Sequence, residues 1–437
     1  MLVYLFYHLV YQRTSLYHLH GNHQTINDQY SVFPHFVSKP KHGWDWYLQE
    51  CFDNQFPDEM EAIFTNALPT WSESLNLECA ELYQKFTALY EVHHRYSQSL
   101  TLPESFSRKI HRLLRGDQTL VDQVNKQHLI HVYEPLTSDH VVYNPLRAHR
   151  PLPTQAMDIF QWVDELSAST AQECDFCRYN KMTARDEFGW HDNGVTLRVS
   201  NTFKVEAWHS MMVTRDSHHP TNLTRRQVVS LFKQATSWVQ EVSLKNPHYI
   251  YPSLAWDTLP PAGASQIHPH LHVFLSPDHY YGSFEGMRAA AQRFLLATGD
   301  NYFSTLLDVH AALGLVVEYG DALALAMLGG KGDLEVLLMS DYPSEDLYRL
   351  LHFTYLSYHD TFRQPCKSLA GAWPALGTSQ DMSRGRIPAL LRLVSRGDCL
   401  SPKADVSSFE LFHVVYRPHD PWQVATAIRS AIKKYDV

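Results

Sequence analysis

The 437-residue sequence has few cysteines, no excess of basic residues and no long apolar run. No stretch approaches the ~18 consecutive apolar residues of a membrane-spanning helix, so we expect no membrane partner. The formal net charge of −9 excludes a general attraction to nucleic acid or to an anionic lipid surface. Any site that binds phosphate must therefore be local.

Only six cysteines occur, and of these only Cys174 and Cys177 are close in sequence. This spacing does not resemble the disulfide framework of a small secreted domain. The apolar opening, 1–13, is short and has no cleavage site of small residues, so it does not predict a signal peptide. We therefore expect a reducing, cytoplasmic compartment.

Apolar residues make up 44% of the chain and charged residues 19%, which predicts a folded protein with a large core. The length predicts two or three domains, or one domain that is duplicated. Residues 1–42 show no periodicity and predict a poorly ordered extension, whereas 43–125 show helical spacing. Residues 126–300 predict strand, strand, helix, strand, and 301–437 repeat that order more weakly.

The stretch 263–274, GASQIHPHLHVF, places His268, His270 and His272 at every second position. In a strand these three side chains share one face, with roughly 6.6 Å between neighbours. The chain contains 27 histidines, so the pattern needs support from other residues. One interpretation is that all three histidines bind a single metal ion, as His-x-His strands can.

A second interpretation is phosphoryl chemistry at His270. A neutral imidazole is an effective nucleophile toward phosphorus. The turn Gly263-Ala264-Ser265 offers backbone N–H groups and one hydroxyl, which can hold phosphoryl oxygens as charge moves among them.

Cys174 and Cys177 have the Cys-x-x-Cys spacing that can clasp one zinc ion. A thioredoxin-like redox pair and two unrelated cysteines are the alternatives. Either His218 or His219 could supply a third ligand, and His268 a fourth. A closed Cys2His2 tetrahedron would be a structural zinc site, whereas a metal held by the histidine strand alone leaves both cysteines unexplained.

Three motifs together resemble the histidine-triad superfamily, and within it the galactose-1-phosphate uridylyltransferase branch. They are Gly263-Ala264-Ser265 followed by His268-Pro269-His270, then Cys174-x-x-Cys177, and 143-YNPLRAHRP-151. The resemblance covers about 140–280 well and 300–437 loosely, as a degenerate second half. It implies an α+β fold with a duplicated histidine-triad-like antiparallel sheet, packed helices and an extra helical N-terminal region.

The resemblance also implies roles for these residues. His270 would take a nucleoside monophosphate onto its ring, with His272 beside it, and Ser265 would contact the phosphate. The zinc ligands would be Cys174, Cys177, His268 and one of His218 and His219. We prefer His219, because its spacing to Trp238 resembles the family's spacing from zinc ligand to helix tryptophan.

The sequence departs from the transferase pattern at two positions. His272 stands where transferases have Gln, and a His can also protonate a leaving group or activate water, which favours hydrolysis. Asp257 stands where the pattern has Asn, and a carboxylate there would repel a phosphate. The family's His-rich motif in the second half is also missing, which removes an iron-like site.

The leading hypothesis is a nucleotidyltransferase or phosphorylase that acts on a nucleoside diphosphate sugar or a related nucleotide through a nucleotidyl-histidine intermediate. A phosphate-bearing acceptor would collect the nucleotide, and the resemblance implies a homodimer. A histidine-triad hydrolase with water as acceptor is the first alternative. A non-catalytic, zinc-stabilised scaffold is the second.

Overall fold

The computed structural model describes residues 39–57, 60–144, 146, 157–377, 386–400, 414–417 and 419–436. Most of the predicted extension at 1–42, and most of the segment 143–151, lie outside these ranges. Within them, no helix is both long enough and apolar enough to cross a membrane.

The elements alternate between helices and short strands. The helices are α1 Trp44–Phe52; α2, in the joined pieces Met60–Ala62, Ile63–Ala67 (a π-helical turn) and Leu68–Ser72; α3 Leu77–Leu89; α4 Glu104–Leu113; α5 Gln118–Asn125; α6 Ile159–Thr170; α7 Tyr179–Met182; α8 Arg225–Lys245; α9 Gly282–Thr298; α10 Tyr302–Ala312; α11 Glu345–Asp360; and α12 Pro421–Tyr435. The strands are β1 Glu91–Tyr96, β2 His128–Glu134, β3 Asp139–Tyr143, β4 His191–Asp192, β5 Thr196–Ser200, β6 Trp208–Thr214, β7 Tyr251–Asp257, β8 His270–Ser276, β9 Val316–Tyr319, β10 Ala322–Ala326, β11 Asp333–Ser340, β12 Lys367–Ala372, β13 Ala389–Ser395 and β14 Val414–Arg417.

A ten-stranded antiparallel sheet forms the centre of the molecule, in the order β4-β5-β6-β8-β7-β12-β13-β11-β10-β9. The middle of the sheet is the β7–β12 pair, where Ala255 lies opposite Ala370. The two sides of this pair have the same connections. Along the chain, each side consists of three strands, a long helix and two more strands: β4–β6, α8, β7 and β8 on one side, and β9–β11, α11, β12 and β13 on the other. The predicted duplicated antiparallel sheet is confirmed.

The long helix of each half packs on one face of the sheet. Thr224 caps α8 in a reciprocal capping box with Gln227, and Ser344 caps α11 by accepting the backbone N–H of Leu347. Apolar side chains at helical spacing on α8, such as Phe232 and Trp238, are fully buried. The opposite face of the first half is thereby left for chemistry.

The N-terminal region contains the predicted helices, but it also contributes a strand that we did not predict. β1 pairs with β2, and the order β1-β2-β3-β14 forms a separate four-stranded sheet. β14 is parallel to β3, with Val415 opposite Val141, so this strand does not extend the second half of the large sheet. Parallel pairing across so long a separation leaves no local sequence signal.

The expectation that the cysteines form no disulfides was wrong. Cys51–Cys79 joins α1 to α3, and Cys366–Cys399 joins the start of β12 to the segment after β13. The partners are 28 and 33 residues apart, so their proximity arises only in the fold. Among the described residues, the free cysteines are Cys174 and Cys177.

Candidate active site

The histidine strand lies inside the first half of the sheet, between β6 and β7. β8 begins at His270, so His268 lies just before the strand and not within it as predicted. His270 lies opposite Val213, and His272 lies between Met211 and Ala255. Both side chains project from the face that does not carry α8.

His270 has one ring nitrogen engaged and one available. Its Nδ1–H donates to the backbone carbonyl of His268 at 2.8 Å, which leaves the lone pair on Nε2. Burial lowers the pKa of His270, so the imidazole is neutral near pH 7. The residue is only 5% exposed, and the ring of Phe176 lies 5.2 Å from it between centroids. A ligand therefore meets Nε2 in a largely desolvated place.

His272 is held by a histidine from the neighbouring strand. The backbone N–H of Val205 donates to Nδ1 of His209 at 3.2 Å, so the proton of His209 is on Nε2. That nitrogen lies 3.0 Å from Nδ1 of His272. His272 therefore accepts at Nδ1 and carries its own proton on Nε2. Burial lowers the pKa of His272 to about 3 and that of His209 to about 4.

Asn201 completes this group. Its side-chain nitrogen lies 3.3 Å from Nε2 of His209 and 3.3 Å from Nδ1 of His272. The fixed tautomer gives His272 a hydrogen-bond donor on Nε2, and the ring centroids of His270 and His272 are 4.9 Å apart. One imidazole thus offers a lone pair, and its neighbour offers a proton.

The small-residue turn has a backbone that favours glycine. Gly263 has φ of +109°, a conformation that side-chain-bearing residues rarely adopt. A Cβ there would lie 3.2 Å from Oδ2 of Asp257, so the turn packs directly on this carboxylate. On its other side, Asp257 pairs with Ser368 of β12. Ala264 is buried, whereas Ser265 is exposed, with its hydroxyl open to a ligand.

Four side chains form a compact group that could hold a metal ion: Cys174, Cys177, His218 and His268. Their ligand atoms all lie within 4.8 Å of one another. Sγ of Cys177 is 3.5 Å from Nδ1 of each histidine, Sγ of Cys174 is 3.5 Å from Nδ1 of His268, and the two Nδ1 atoms are 3.3 Å apart. A tetrahedral ion with bonds of about 2.3 Å to sulfur and about 2.0 Å to nitrogen sets edges of about these lengths.

Both histidines of this group are oriented by their second nitrogen. Nε2 of His268 donates to the carbonyl of Thr214 at 2.7 Å, and Nε2 of His218 lies 3.1 Å from the hydroxyl of Thr170. Nδ1 of each ring therefore presents a lone pair to the cysteines. Metal-binding histidines are commonly oriented by a hydrogen bond from their other nitrogen in this way. Without a cation, burial raises the pKa of Cys177 to about 12, so thiolate ligation there depends on an ion.

The structure corrects our preference for His219. Nε2 of His219 lies 2.9 Å from the carboxylate of Asp164, and its Nδ1 accepts the backbone N–H groups of Thr221 and Asn222. His219 closes the turn before α8 and points away from the cysteines. Trp238, whose spacing suggested His219, is buried and donates to Asp186. It packs α8 against its neighbours, and its spacing does not identify the metal ligand.

No protein-family model and no curated protein sequence matches this chain. Among solved structures, it is similar to an ADP-glucose phosphorylase from Arabidopsis thaliana with bound ADP-glucose, at 15% identity and a TM-score of 0.53, over 68% of this chain and 97% of that one. It is also similar to a galT-like protein from Arabidopsis thaliana, at 14% identity and a TM-score of 0.51, over 68% and 98%. The chain has a galT-like fold.

Within this galT-like fold, His270 and His272 lie side by side on β8, and His268 belongs to the group with the two cysteines. The role of the Gly263 turn stays a prediction. The sequence analysis assigned no chemistry to His209 and did not consider Asn201. His209 stands where the resembled superfamily often has a histidine at the start of a strand, but only the β6–β8 register shows that it meets His272.

Proposed function

We propose that the protein is a nucleotidyltransferase or phosphorylase that works through a covalent nucleotidyl-histidine. Nε2 of His270 attacks the α-phosphorus of a nucleoside diphosphate sugar or a related nucleotide. The N–P bond forms as the bond from phosphorus to the bridging oxygen breaks, and a sugar phosphate leaves. A phosphate oxygen of the second substrate then attacks the same phosphorus and breaks the N–P bond.

The observation that carries this proposal is the fixed pair of tautomers on β8. The bond from His270 Nδ1 to the carbonyl of His268 frees a lone pair, and the bond from His209 leaves His272 with a proton on Nε2. A nucleophile and a proton donor thus sit side by side. The Gly263-Ala264-Ser265 turn is the proposed cradle for the phosphoryl oxygens.

We propose zinc as the ion held by Cys174, Cys177, His218 and His268, because two thiolates and two imidazoles are the usual donors of a tetrahedral zinc site. When bound, the ion has a structural role, since four protein ligands leave no position for substrate. His268 contributes twice, because its carbonyl orients His270 while its ring joins the metal group. A fixed His268 backbone therefore keeps the nucleophile aligned.

A hydrolase is the second candidate, and His272 is the observation that favours it. A glutamine at this position can only hydrogen-bond, whereas an imidazole can exchange its tautomer. If the proton of His272 moves from Nε2 to Nδ1, Nε2 can accept a proton from water during the second step. Water would then release the nucleoside monophosphate from His270.

The test of the overall reaction compares acceptors. The purified protein is incubated with ADP-glucose, UDP-glucose and dinucleotides, each with inorganic phosphate, with glucose 1-phosphate or with buffer alone. A transferase or phosphorylase gives product only with acceptor, and a hydrolase gives nucleoside monophosphate in buffer. Turnover under neither condition with every donor would contradict both and would leave the zinc-stabilised scaffold. Size-exclusion chromatography with light scattering checks the proposed homodimer.

We also propose a cytoplasmic location, because the cysteines of the metal group must stay reduced to bind zinc. The two disulfides oppose this location, since cytosolic thiols are normally kept reduced. Alkylation at the moment of cell lysis, followed by denaturation and mass measurement, separates the cases. Six alkylated cysteines support the cytoplasm, and two alkylated cysteines contradict it.

A further inference from the structure

The four-stranded sheet carries a second group of histidines, far from β8 in the sequence. β1 and β2 pair with His93 directly opposite His131. On β3, His140 lies one diagonal step from His131. The alternate residues Val132 and Val141 are fully buried on the inner face. All three imidazoles therefore project to the outer face of this sheet.

Two of these rings are already at ligand spacing. Nδ1 of His131 and Nε2 of His140 are 3.0 Å apart, with ring centroids at 5.2 Å. Two nitrogens at this separation, each bonded to one ion at about 2.0–2.1 Å, subtend an angle near a right angle at the ion. That angle belongs to square-planar and octahedral ions such as Cu²⁺ and Ni²⁺, and it is smaller than a tetrahedral angle.

The charge state of the pair suits a metal. Burial and then the nearby Arg95 lower the pKa of His131 to about 4, and the same two causes lower the pKa of His140. Both rings are neutral at pH 7, so an ion has only to shift the one proton between Nδ1 of His131 and Nε2 of His140 to the other nitrogen of its ring. The positive charge of Arg95 repels every cation. Only an ion that binds imidazole strongly can offset this repulsion, which disfavours hard ions such as Mg²⁺.

We propose that His131 and His140 bind one divalent transition-metal ion of the Ni²⁺ or Cu²⁺ class between β2 and β3, with His93 as a third ligand. The side chain of His93 is 52% exposed, and its Nε2 lies 3.4 Å from a carboxylate oxygen of Glu91, which is also about half exposed. It can therefore rotate toward its cross-strand partner. This site is independent of the Cys2His2 group and of the proposed reaction.

A second histidine pair on the same sheet provides a matched control. Nδ1 of His94 and Nε2 of His128 are 3.1 Å apart, but the other nitrogen of His128 lies 2.7 Å from a carboxylate oxygen of Glu61. Tyr96 also stacks on His128, with centroids 4.6 Å apart. A hydrogen-bonded chain from His94 through His128 to Glu61 accounts for this pair without an ion.

The experiment titrates Ni²⁺ into zinc-loaded, full-length protein by calorimetry, for wild type and for His131→Gln, His140→Gln, His93→Gln and His94→Gln. We expect one Ni²⁺ to be lost in the first two variants, to bind roughly tenfold more weakly in the third, and to be kept in the fourth. Circular dichroism and Tm without Ni²⁺ show that each variant is folded. Wild type should gain Tm with Ni²⁺, and His131→Gln should not.

The same titration can overturn the assignment. Equal Ni²⁺ uptake by wild type and His131→Gln would place any bound ion elsewhere in this histidine-rich chain. Loss of the ion in His94→Gln, with retention in His140→Gln, would assign the ion to the His94–His128 pair instead.

Discussion

The chemistry of single residues here is decided by which ring nitrogen is occupied. His268 uses Nε2 for a carbonyl and offers Nδ1 to the cysteines, whereas His270 uses Nδ1 and offers Nε2. His209 fixes the tautomer of His272 in the same manner. Burial keeps all of them neutral, so Nδ1 of His268 can bind a metal and Nε2 of His270 can attack phosphorus without first losing a proton.

Adjacent histidines allow a direct test of the metal group. His218→Gln should lose most of the bound zinc, because it removes one of four ligands. His219→Gln should keep the zinc, since that ring bonds Asp164. Metal content after desalting, measured by mass spectrometry, distinguishes them. Equal zinc loss in both variants would contradict the ligand set.

Asp257 should make nucleotidyl transfer sensitive to pH. Burial raises the pKa of its carboxyl, opposed by a hydrogen bond from Ser368 and the charge of Arg396. The Gly263 turn, the proposed phosphate cradle, packs on this carboxylate. As the pH falls through the raised pKa, the carboxyl becomes neutral and stops repelling a phosphate held by that turn. Wild type should therefore be nucleotidylated faster at lower pH. Below that range, protonation of the imidazole itself ends the reaction.

The matched variant is Asp257→Asn, which keeps the shape and removes the charge. We expect its nucleotidylation rate to exceed that of wild type by roughly tenfold at pH 8 and to lose the dependence on this carboxyl. Rates come from the fraction of modified protein in a quenched time course. A wild-type rate equal to the variant's at every pH would show that the carboxylate does not face the phosphate.

The residue types of the site could be predicted, but their partners could not. His270 and the Cys-x-x-Cys pair are local patterns with a chemical reason, so the sequence indicates them directly. The choice between His218 and His219 depends on which of two adjacent side chains closes a turn. His209 meets His272 only through the β6–β8 register, which no short stretch encodes.

At the scale of elements, the second half has lost the chemistry of the first. One row of the sheet runs through His272, Ala255, Ala370 and Arg392, so Arg392 is the counterpart of His272 across the central pair. Applying the same symmetry to His270 gives Leu390. A leucine cannot attack phosphorus, so the second half has no nucleophile at the position that corresponds to His270. The limits 126–300 and 301–437 for the two halves stay a prediction.

Arg392 belongs to a buried ion cluster between the two sheets. Its Nε lies 2.9 Å from a carboxylate oxygen of Glu335, and its Nη2 lies 3.3 Å from Asp139 on β3. Arg417 of β14 also approaches Glu335, at 3.5 Å. The buried charges are paired with one another, because a lone buried ion would cost several kcal/mol.

Replacing Arg392 by Leu should destabilise the protein by about 3 kcal/mol, because Glu335 and Asp139 stay buried with fewer positive partners. The control is Arg349→Ala, which breaks a surface ion pair with Glu345 and should cost less than about 1 kcal/mol. Urea unfolding at pH 7 measures both. Equal losses would show that the cluster between the sheets does not hold them together.

Elements with strong periodicity were predicted, and those without it were missed. Alternating apolar residues indicated β5, β6 and β11, and helical spacing indicated α8 and α11. β1 has the polar sequence EVHHRY, and β12 has KSLAGA, so neither carries an apolar face that marks a strand. Both are ordered by their neighbours, since each pairs along its full length.

At the scale of the whole molecule, buried neutral histidines should make the fold sensitive to acid. His310 is fully buried, donates from Nδ1 to the carbonyl of Leu306, and has a pKa lowered by burial to about 4. The unfolded chain binds a proton below about pH 6.5, whereas the folded one does not until about pH 4. Stability is therefore lost as the pH falls from 6.5 toward 4.

His310→Leu should remove part of this sensitivity. Between pH 7 and pH 5, wild type should lose about 2 kcal/mol more unfolding free energy than the variant, because one fewer histidine protonates on unfolding. Urea unfolding at the two pH values gives the comparison. The same loss in both proteins would mean that His310 is already protonated in the fold.

The most direct test of the central claim is the intact mass of the protein after incubation with nucleotide sugars and dinucleotides, under conditions that preserve phosphoramidates. The account predicts a gain of one nucleoside monophosphate, mapped to His270, that is absent in His270→Ala with zinc content unchanged. A gain that persists in His270→Ala, or no gain in wild type with any donor together with no release of nucleotide, would contradict it.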